Sequence, residues 1–372
     1  MKIGIDVSML NYAGSGVANY TYNLVKNLLI YDKTNEYRLF YSSLRRPNNF
    51  RYLDDLRKLG ARVYEYPLPL SVWRFFWGKH HLIPVEWLIG RVDVFMSSDF
   101  LRPPLLKGTR GVTTVHDLTW KIFPQFHNDD IVEAHIKKLE KTVKYKDIVI
   151  VDSDNTKKDL LEHYPQIKNI RTIHLAVDDH FRPIKDGREI KKILEKYGQE
   201  YPRDYLLYVG AIEPRKNLET AIKVFDELVK IKKYWDFKFL IVGRAGWKNE
   251  KIFELIKKLD LDEKVIFVGF VEDLDLPYFY SGARAFIYLS KYEGFGLPPV
   301  EAAACGTPSL LYANSSLREI FEVGYPYASK GRELEDLRKI LDSKIDMKKH
   351  MKDFSWKKYV GNFLKTFGLV QS

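Results

Sequence analysis

Two carboxylates, Glu293 and Glu301, flank the segment Gly-Phe-Gly-Leu-Pro-Pro-Val at 294–300, with seven residues between them. Carboxylates accept hydrogen bonds, so a pair on either side of a glycine-bearing turn suits a ligand rich in hydroxyls. The turn runs into a helix start, because Pro298 and Pro299 occupy a first turn that tolerates missing N–H groups. The amides of Phe295, Gly296 and Leu297 then point out of a helix N-terminus, an arrangement that binds phosphate. Glycines at 294 and 296 allow a ligand to approach the backbone closely. The plainer reading is that Glu301 only complements the helix dipole and Glu293 is a solvated loop residue.

A second stretch weighs against the plainer reading. In YVGAIEPRKNLETAIKVF, 208–225, a strand ends at Gly210, the following loop carries Arg215 and Lys216, and Asn217 stands where the next helix needs a cap. The planar fork of Arg and the point charge of Lys together suit a diphosphate. A basic surface loop before a helix is common, but joined to the first loop it completes a ligand. Phosphates go to the cations and amides, hydroxyls go to the two glutamates, and a sugar nucleotide has both.

The elements that must position these residues follow from the hydrophobic pattern. Seven short apolar runs in the first half (KIGIDV, YRLFYS, RVYEY, VDVFMS, GVTTVH, DIVIVDS, IRTIHLAV) alternate with amphipathic helices over 17–30, 130–145 and 154–164. Five more runs (YLLYVG, FKFLIVG, VIFVGF, RAFIYLS, SLLYA) alternate with helices near 218–231, 248–259, 275–282, 298–304 and 317–322. Such alternation predicts two α/β domains with parallel sheets, and ligands of open parallel sheets lie beyond the carboxyl ends of the strands. The charged stretch 178–204 reads as a linker with one exposed helix. The domains are placed at 1–183 and 184–353, with a terminal helix in 354–372 packing back on the first domain.

The chain has 372 residues and a net charge of +11. The charge favours anionic partners, but it is spread along the chain with no basic cluster or nucleic-acid module, so nucleic-acid binding is excluded. Asp6 interrupts any apolar core of a signal peptide, and no apolar run approaches the roughly 18 residues of a membrane span, which predicts a cytoplasmic protein. The single cysteine, Cys305, lies among Ala302, Ala303, Ala304 and Gly306 and is expected to be a buried residue. No Asp-x-Asp or His/Cys cluster has the spacing of a metal site, and no metal or other cofactor is expected. The segment SVWRFFWGKHHLIPVEW at 71–87 admits a membrane-facing patch or a packed helix, packing being favoured, and peripheral contact with a membrane would suit a lipid-linked acceptor.

Taken in order and spacing, Glu-x7-Glu with EAAACGTP, VGAIEPRKNL, GFVEDLDLPYFYSGARAFIYLSKYEGFG, HDLTWKIFPQF, VDDHFRP and FSW resemble glycosyltransferase family 4 over nearly the whole chain, most of all its mannosyltransferase and O-antigen branch. The resemblance implies the GT-B fold, two Rossmann-like domains facing across a cleft, and retaining hexosyl transfer from a nucleotide sugar to a glycan or lipid-linked acceptor. GDP-mannose is the donor it favours. UDP-linked sugars, or a non-catalytic assembly protein on the same fold, are the alternatives. It also implies that Glu301 binds the ribose and Glu293 the transferred sugar, while Phe295, Gly296 and Leu297 hold sugar and phosphate. Arg215 and Lys216 would neutralise the leaving diphosphate, Phe270 and Val271 would lie against the base, and His116 would line the sugar site. The first loop departs from the family's Gly-Ile-Gly-Arg-Tyr. Here Gly16-Val17-Ala18-Asn19-Tyr20 keeps Gly16 as a donor-side residue and lacks the arginine.

Overall fold

The computed structural model describes residues 1–12, 14–46, 50–98, 100–198, 204–244, 250–343 and 345–368. Runs rich in β-branched and aromatic residues form the strands, as their pleated, buried surfaces favour. The first sheet contains β1 (Lys2–Asp6), β2 (Glu36–Ser42), β3 (Arg62–Tyr66), β4 (Val94–Ser97), β5 (Arg110–Val115), β6 (Ile148–Val151) and β7 (Ile170–Thr172). Its order is β3-β2-β1-β4-β5-β6-β7, and every pairing is parallel. The second contains β8 (Tyr205–Val209), β9 (Lys238–Val242), β10 (Val265–Gly269), β11 (Ala285–Tyr288) and β12 (Ser309–Leu311), ordered β10-β9-β8-β11-β12 and again parallel. All twelve expected strands form, and the two-sheet α/β architecture holds. Strand order reverses between β1 and β4 in one sheet and between β8 and β11 in the other. These are the positions where a doubly wound sheet leaves room for a ligand.

The chain divides into two units, Met1–Leu175 together with the segment from Ser355, and Ala176–Phe354. The division lies ahead of the 183–184 boundary expected from the charged stretch. Val177 N–H donates to the Phe354 carbonyl at 2.9 Å, which ties both ends of the second unit together. The helix Gly187–Lys196 is not an exposed passenger in a linker. It buries Ile190 and Leu194 and packs on the helix Leu276–Gly282, where Gly282 leaves room for Ile190.

In the first unit the terminal helix, Trp356–Lys365, opens on Ser355, whose hydroxyl accepts from Lys358 N–H. It packs on the helix Gly16–Tyr31, and the Tyr20 and Tyr359 hydroxyls meet at 2.7 Å. In 71–87, Trp73 and Trp77 are core residues against Phe40, each indole N–H bonded, to the Ser42 hydroxyl and the Ile83 carbonyl. The exposed aromatics of that stretch are Phe75 and Trp87. The helix expected over 317–322 is instead a short 3-10 turn, Ser315–Glu319. No helix among the described residues is long and apolar enough to cross a membrane.

Candidate active site

Two loops leave the second sheet at its switch point, one after β8 and one after β11. Hydrogen bonds join them: Lys291 N–H to the Arg215 carbonyl at 2.8 Å, Asn217 Nδ2 to the Leu289 carbonyl at 3.0 Å, and Ser290 Oγ to the Arg215 carbonyl at 3.2 Å. Asn217 therefore does not cap the helix Leu218–Val229 with its side chain, as the sequence had suggested. It adopts a left-handed conformation (φ 56°) and clamps one loop to the other. A third stretch, 314–316, closes the arrangement. Asn314 Nδ2 donates to the Ser290 carbonyl, Ser315 Oγ accepts from Glu293 N–H, and Ser316 Oγ donates to the carbonyls of Glu293 and Phe295.

This frame brings Glu293, Arg215 and Lys216 into one cluster. Glu293 Oε2 accepts from Arg215 Nη1 at 2.9 Å, and Oε1 accepts from Lys216 Nζ at 2.7 Å and from Ser290 Oγ. Lys216 also donates to the buried Tyr288 hydroxyl, and Arg215 Nε lies 3.2 Å from Glu213. Burial pushes the Glu293 carboxyl up, but Lys216 and Arg215 outweigh burial and hold it at about 2. Burial also draws the Lys216 ammonium down, against the pull of Glu293. Glu293 is therefore held as a carboxylate, with one oxygen against each cation within contact distance. The cations assigned to a diphosphate are thus already engaged by the carboxylate assigned to the sugar.

The helix Leu297–Ala304 begins at this cluster with prolines in its first turn. Gly296 takes φ 100°, a left-handed backbone that favours glycine, and a Cβ there would lie 2.7 Å from Leu317 Cδ2, which would have to move. Phe295 is buried edge-on against Phe354, which leaves its backbone, not its ring, for a ligand. Glu301 lies one turn along the helix, partly buried, and accepts from Tyr280 OH at 2.8 Å. Burial and the Asp273 charge push its carboxyl up to about 7, with Tyr280 and His180 opposing. Of the pair expected at the base, Phe270 is exposed beneath the Arg244 guanidinium, 4.9 Å from the ring centroid, whereas Val271 is buried and has only its backbone to offer. Cys305 is buried, and burial pushes its thiol up, so it is no nucleophile.

His116 and Gly16 belong to the first unit. His116 follows β5, its Nδ1 is 2.6 Å from Asp152 Oδ2, and its ring meets Tyr20 edge-on at 4.6 Å between centroids. It lines a small cavity at the β1/β4 switch with Asp6, Ser97, Ser98 and Thr114. Gly16 opens its helix beside the capping Ser15, and a Cβ there would meet no atom within 4 Å. Sterics of the chain itself do not require glycine at 16. Asn217 clamps where a cap was expected, and Ser290, Tyr288, Glu213 and the serines at 315–316 were missed in the sequence. Their signal was the run Asn314-Ser315-Ser316 directly after a strand, where short polar side chains bond to backbone.

Residues 189–359 match the family model for glycosyl transferases group 1. O-antigen chain mannosyltransferase B of Escherichia coli is 28% identical over 338 residues, 86% of this chain and 84% of that protein. O-antigen chain mannosyltransferase RfbU of Salmonella typhimurium is 26% identical over 344 residues, covering 87% and 86%. Serotype-specific mannosyltransferase WbdA of E. coli is 28% identical over 205 residues, and the match spans only 24% of that longer protein. Among solved structures, Anabaena Alr3699/HepE in complex with UDP and glucose is similar at a TM-score of 0.71 over 100% of both chains with 14% identity, a likeness of fold. WaaG, a glycosyltransferase involved in lipopolysaccharide biosynthesis, is similar at 0.61 with 14% identity over 99% of this chain and 96% of that one. The fold is GT-B. The chain is a glycosyltransferase.

Proposed function

We propose that the chain is a retaining hexosyltransferase of family 4 that transfers mannose from GDP-mannose to a glycan or lipid-linked acceptor. The observation that carries the reading is the Arg215–Lys216–Glu293 cluster at the β8/β11 switch, beside the Gly296 helix start. The names of the full-length relatives support mannose as the sugar.

Bond breaking starts at the anomeric carbon, whose bond to the diphosphate oxygen parts with both electrons on the phosphate. Arg215, Lys216 and the amides of Phe295 to Leu297 stabilise that charge as it develops. The acceptor hydroxyl adds to the same face, and its proton goes to the departing phosphate oxygen. Glu293 has both oxygens occupied by donors and is ionised, so its role is to hold the two cations and orient the sugar hydroxyls, not to act as nucleophile or acid. Glu301 receives the ribose hydroxyls, His116 lines the sugar, and Phe270 offers its exposed ring to the base. Peripheral contact with an anionic membrane would bring a lipid-linked acceptor within reach.

The test is to incubate the protein with GDP-mannose, UDP-glucose or UDP-galactose and a mixed pool of lipid-linked and free oligosaccharides, following released nucleotide and the anomeric proton of the product. Release of GDP with an α-linked mannose product is expected. UDP release alone would move the donor to the uridine class, and no release with any donor would overturn the reading.

A further inference from the structure

His180 lies in the charged stretch before the helix Gly187–Lys196 and has no part in the scheme above. Its Nδ1 is 3.0 Å from Asp178 Oδ1, and its Nε2 is 3.2 Å from the Asp273 carbonyl oxygen and 3.3 Å from Asp273 Oδ2. All these partners are acceptors. A neutral imidazole has one N–H, so one side would set lone pair against lone pair, and only the imidazolium donates on both sides. The backbone fixes the ring's place: His180 N–H donates to Asp178 Oδ1, and Phe181 N–H to the Asp178 carbonyl.

The turn that His180 grips leads from Phe270 and Val271 into the helix Leu276–Gly282. Asp275 N–H donates to the Glu272 carbonyl, and Leu276 N–H to the same Asp273 oxygen that His180 holds. That helix carries Tyr280, whose hydroxyl donates to Glu301 and whose ring meets Phe181, the neighbour against which His180 packs. Two paths therefore run from His180 to Glu301, one through the 272–275 turn and one through Phe181 and Tyr280. His180 is also the cation that opposes Asp273 at the Glu301 carboxyl.

We propose that His180, donating from both ring nitrogens, is a positioning residue that locks the 272–275 turn and sets Glu301 for the nucleoside end of the donor. The inference rests on the reading of Glu301 as the donor's ribose ligand. Asp178 and Asp273 face the ring, Glu301 feels its charge through space, and Tyr280 stands beyond Phe181. Burial lowers the His180 imidazole and the two aspartates outweigh it, raising it to about 9, while Glu301 titrates near 7 and Tyr280 well above 10. Loss of the clamp at about pH 9 is therefore separable from the other titrations.

The experiment compares wild type, His180→Gln and His180→Arg in the full chain, with donor KM and kcat measured across pH and imidazole nitrogens followed by NMR. His180→Gln should raise donor KM about tenfold, the loss of one charge-assisted bond, with kcat little changed. His180→Arg keeps two donors and a cation that does not titrate, so it should restore most of the affinity and abolish the rise in wild-type KM above about pH 9. NMR, which needs no donor and no variant, should show both His180 nitrogens protonated near neutral pH. A neutral His180 tautomer, or an Arg variant no better than Gln, would overturn the inference while leaving the enzyme's function standing. Absence of donor turnover in wild type would overturn the function reading, and the donor-side role of His180 with it.

Discussion

Glu293 and Lys216 form an ion pair of 2.7 Å at the β8/β11 switch, and Arg215 holds the other carboxylate oxygen at 2.9 Å. The carboxylate assigned to the sugar and the cations assigned to the diphosphate are one electrostatic unit. A donor must share those cations with Glu293, and Lys216 has a third N–H to offer beyond Tyr288 and Glu293. Glu293→Gln should consequently lower kcat by about a hundredfold or more while nucleoside diphosphate binding is kept or tightened, since one opposing charge is gone. Single-turnover kinetics beside calorimetry separates the two. A variant with normal kcat would remove Glu293 from the chemistry.

Stability should report the same cluster. The Glu293 carboxyl lies at about 2 in the folded chain against an ordinary 4.5, so its contribution is present above 4.5 and is lost as pH falls toward 2. Glu293→Gln leaves two cations with less compensation and should cost about 3 kcal/mol near neutral pH, the usual scale for breaking a buried pair from one side. The deficit should shrink on acidification. Urea titrations at a series of pH values check this, and a pH-independent deficit would contradict it.

Glu301 behaves in the opposite sense. Its carboxyl rises from 4.5 to about 7 on folding, so the folded chain binds more protons across that window and stability falls as pH rises through it. Glu301→Gln should therefore raise the melting temperature above pH 7, by up to about 3 kcal/mol in free-energy terms, and leave it unchanged below 4.5. Donor affinity should fall in the same variant. Calorimetric melting at both ends of the range shows the sign directly.

Gly296→Ala should be expensive for a residue that gains one methyl group. The backbone is left-handed at φ 100°, and the new Cβ would lie 2.7 Å from Leu317 Cδ2. A loss of about 1–3 kcal/mol is expected from the strain alone. Truncating Leu317 in the same chain removes the clash but not the conformational cost, so melting temperature should recover only in part. Full recovery would mean that sterics, not backbone conformation, demand the glycine.

Most of the scaffold was legible because period and composition speak locally. Each strand run, from KIGID to SLL, is short, apolar and bounded by polar or glycine residues, and each became a strand. The stretch 178–204 was misjudged because its charge density masked the spacing of Ile190 and Leu194, four apart on one helix face. The expected helix at 317–322 gives way because Phe321 pairs with Met351 in an isolated bridge and Glu322 N–H donates to the His350 carbonyl, contacts far along the chain. Within the site, Glu293, Glu301, Arg215 and Lys216 were visible as motif residues. That Glu293 is the counter-ion of the two cations was not, since the contact spans two loops and more than seventy positions of sequence. Asn217 and Ser290, which join those loops, look like ordinary turn residues until the loops meet. His180 was hidden for the same reason, its partner Asp273 being far along the chain.

By the proposed reading, the Arg215–Lys216–Glu293 cluster is the diphosphate site for a sugar-nucleotide donor. Calorimetric titration of wild type and Arg215→Ala with GDP, UDP, ADP and their common sugar conjugates tests it most directly. Saturable binding of one nucleoside diphosphate, GDP by this reading, weakened at least about tenfold in Arg215→Ala, is the expected result. Equal binding by wild type and variant, or binding of none of the nucleotides, would contradict the claim.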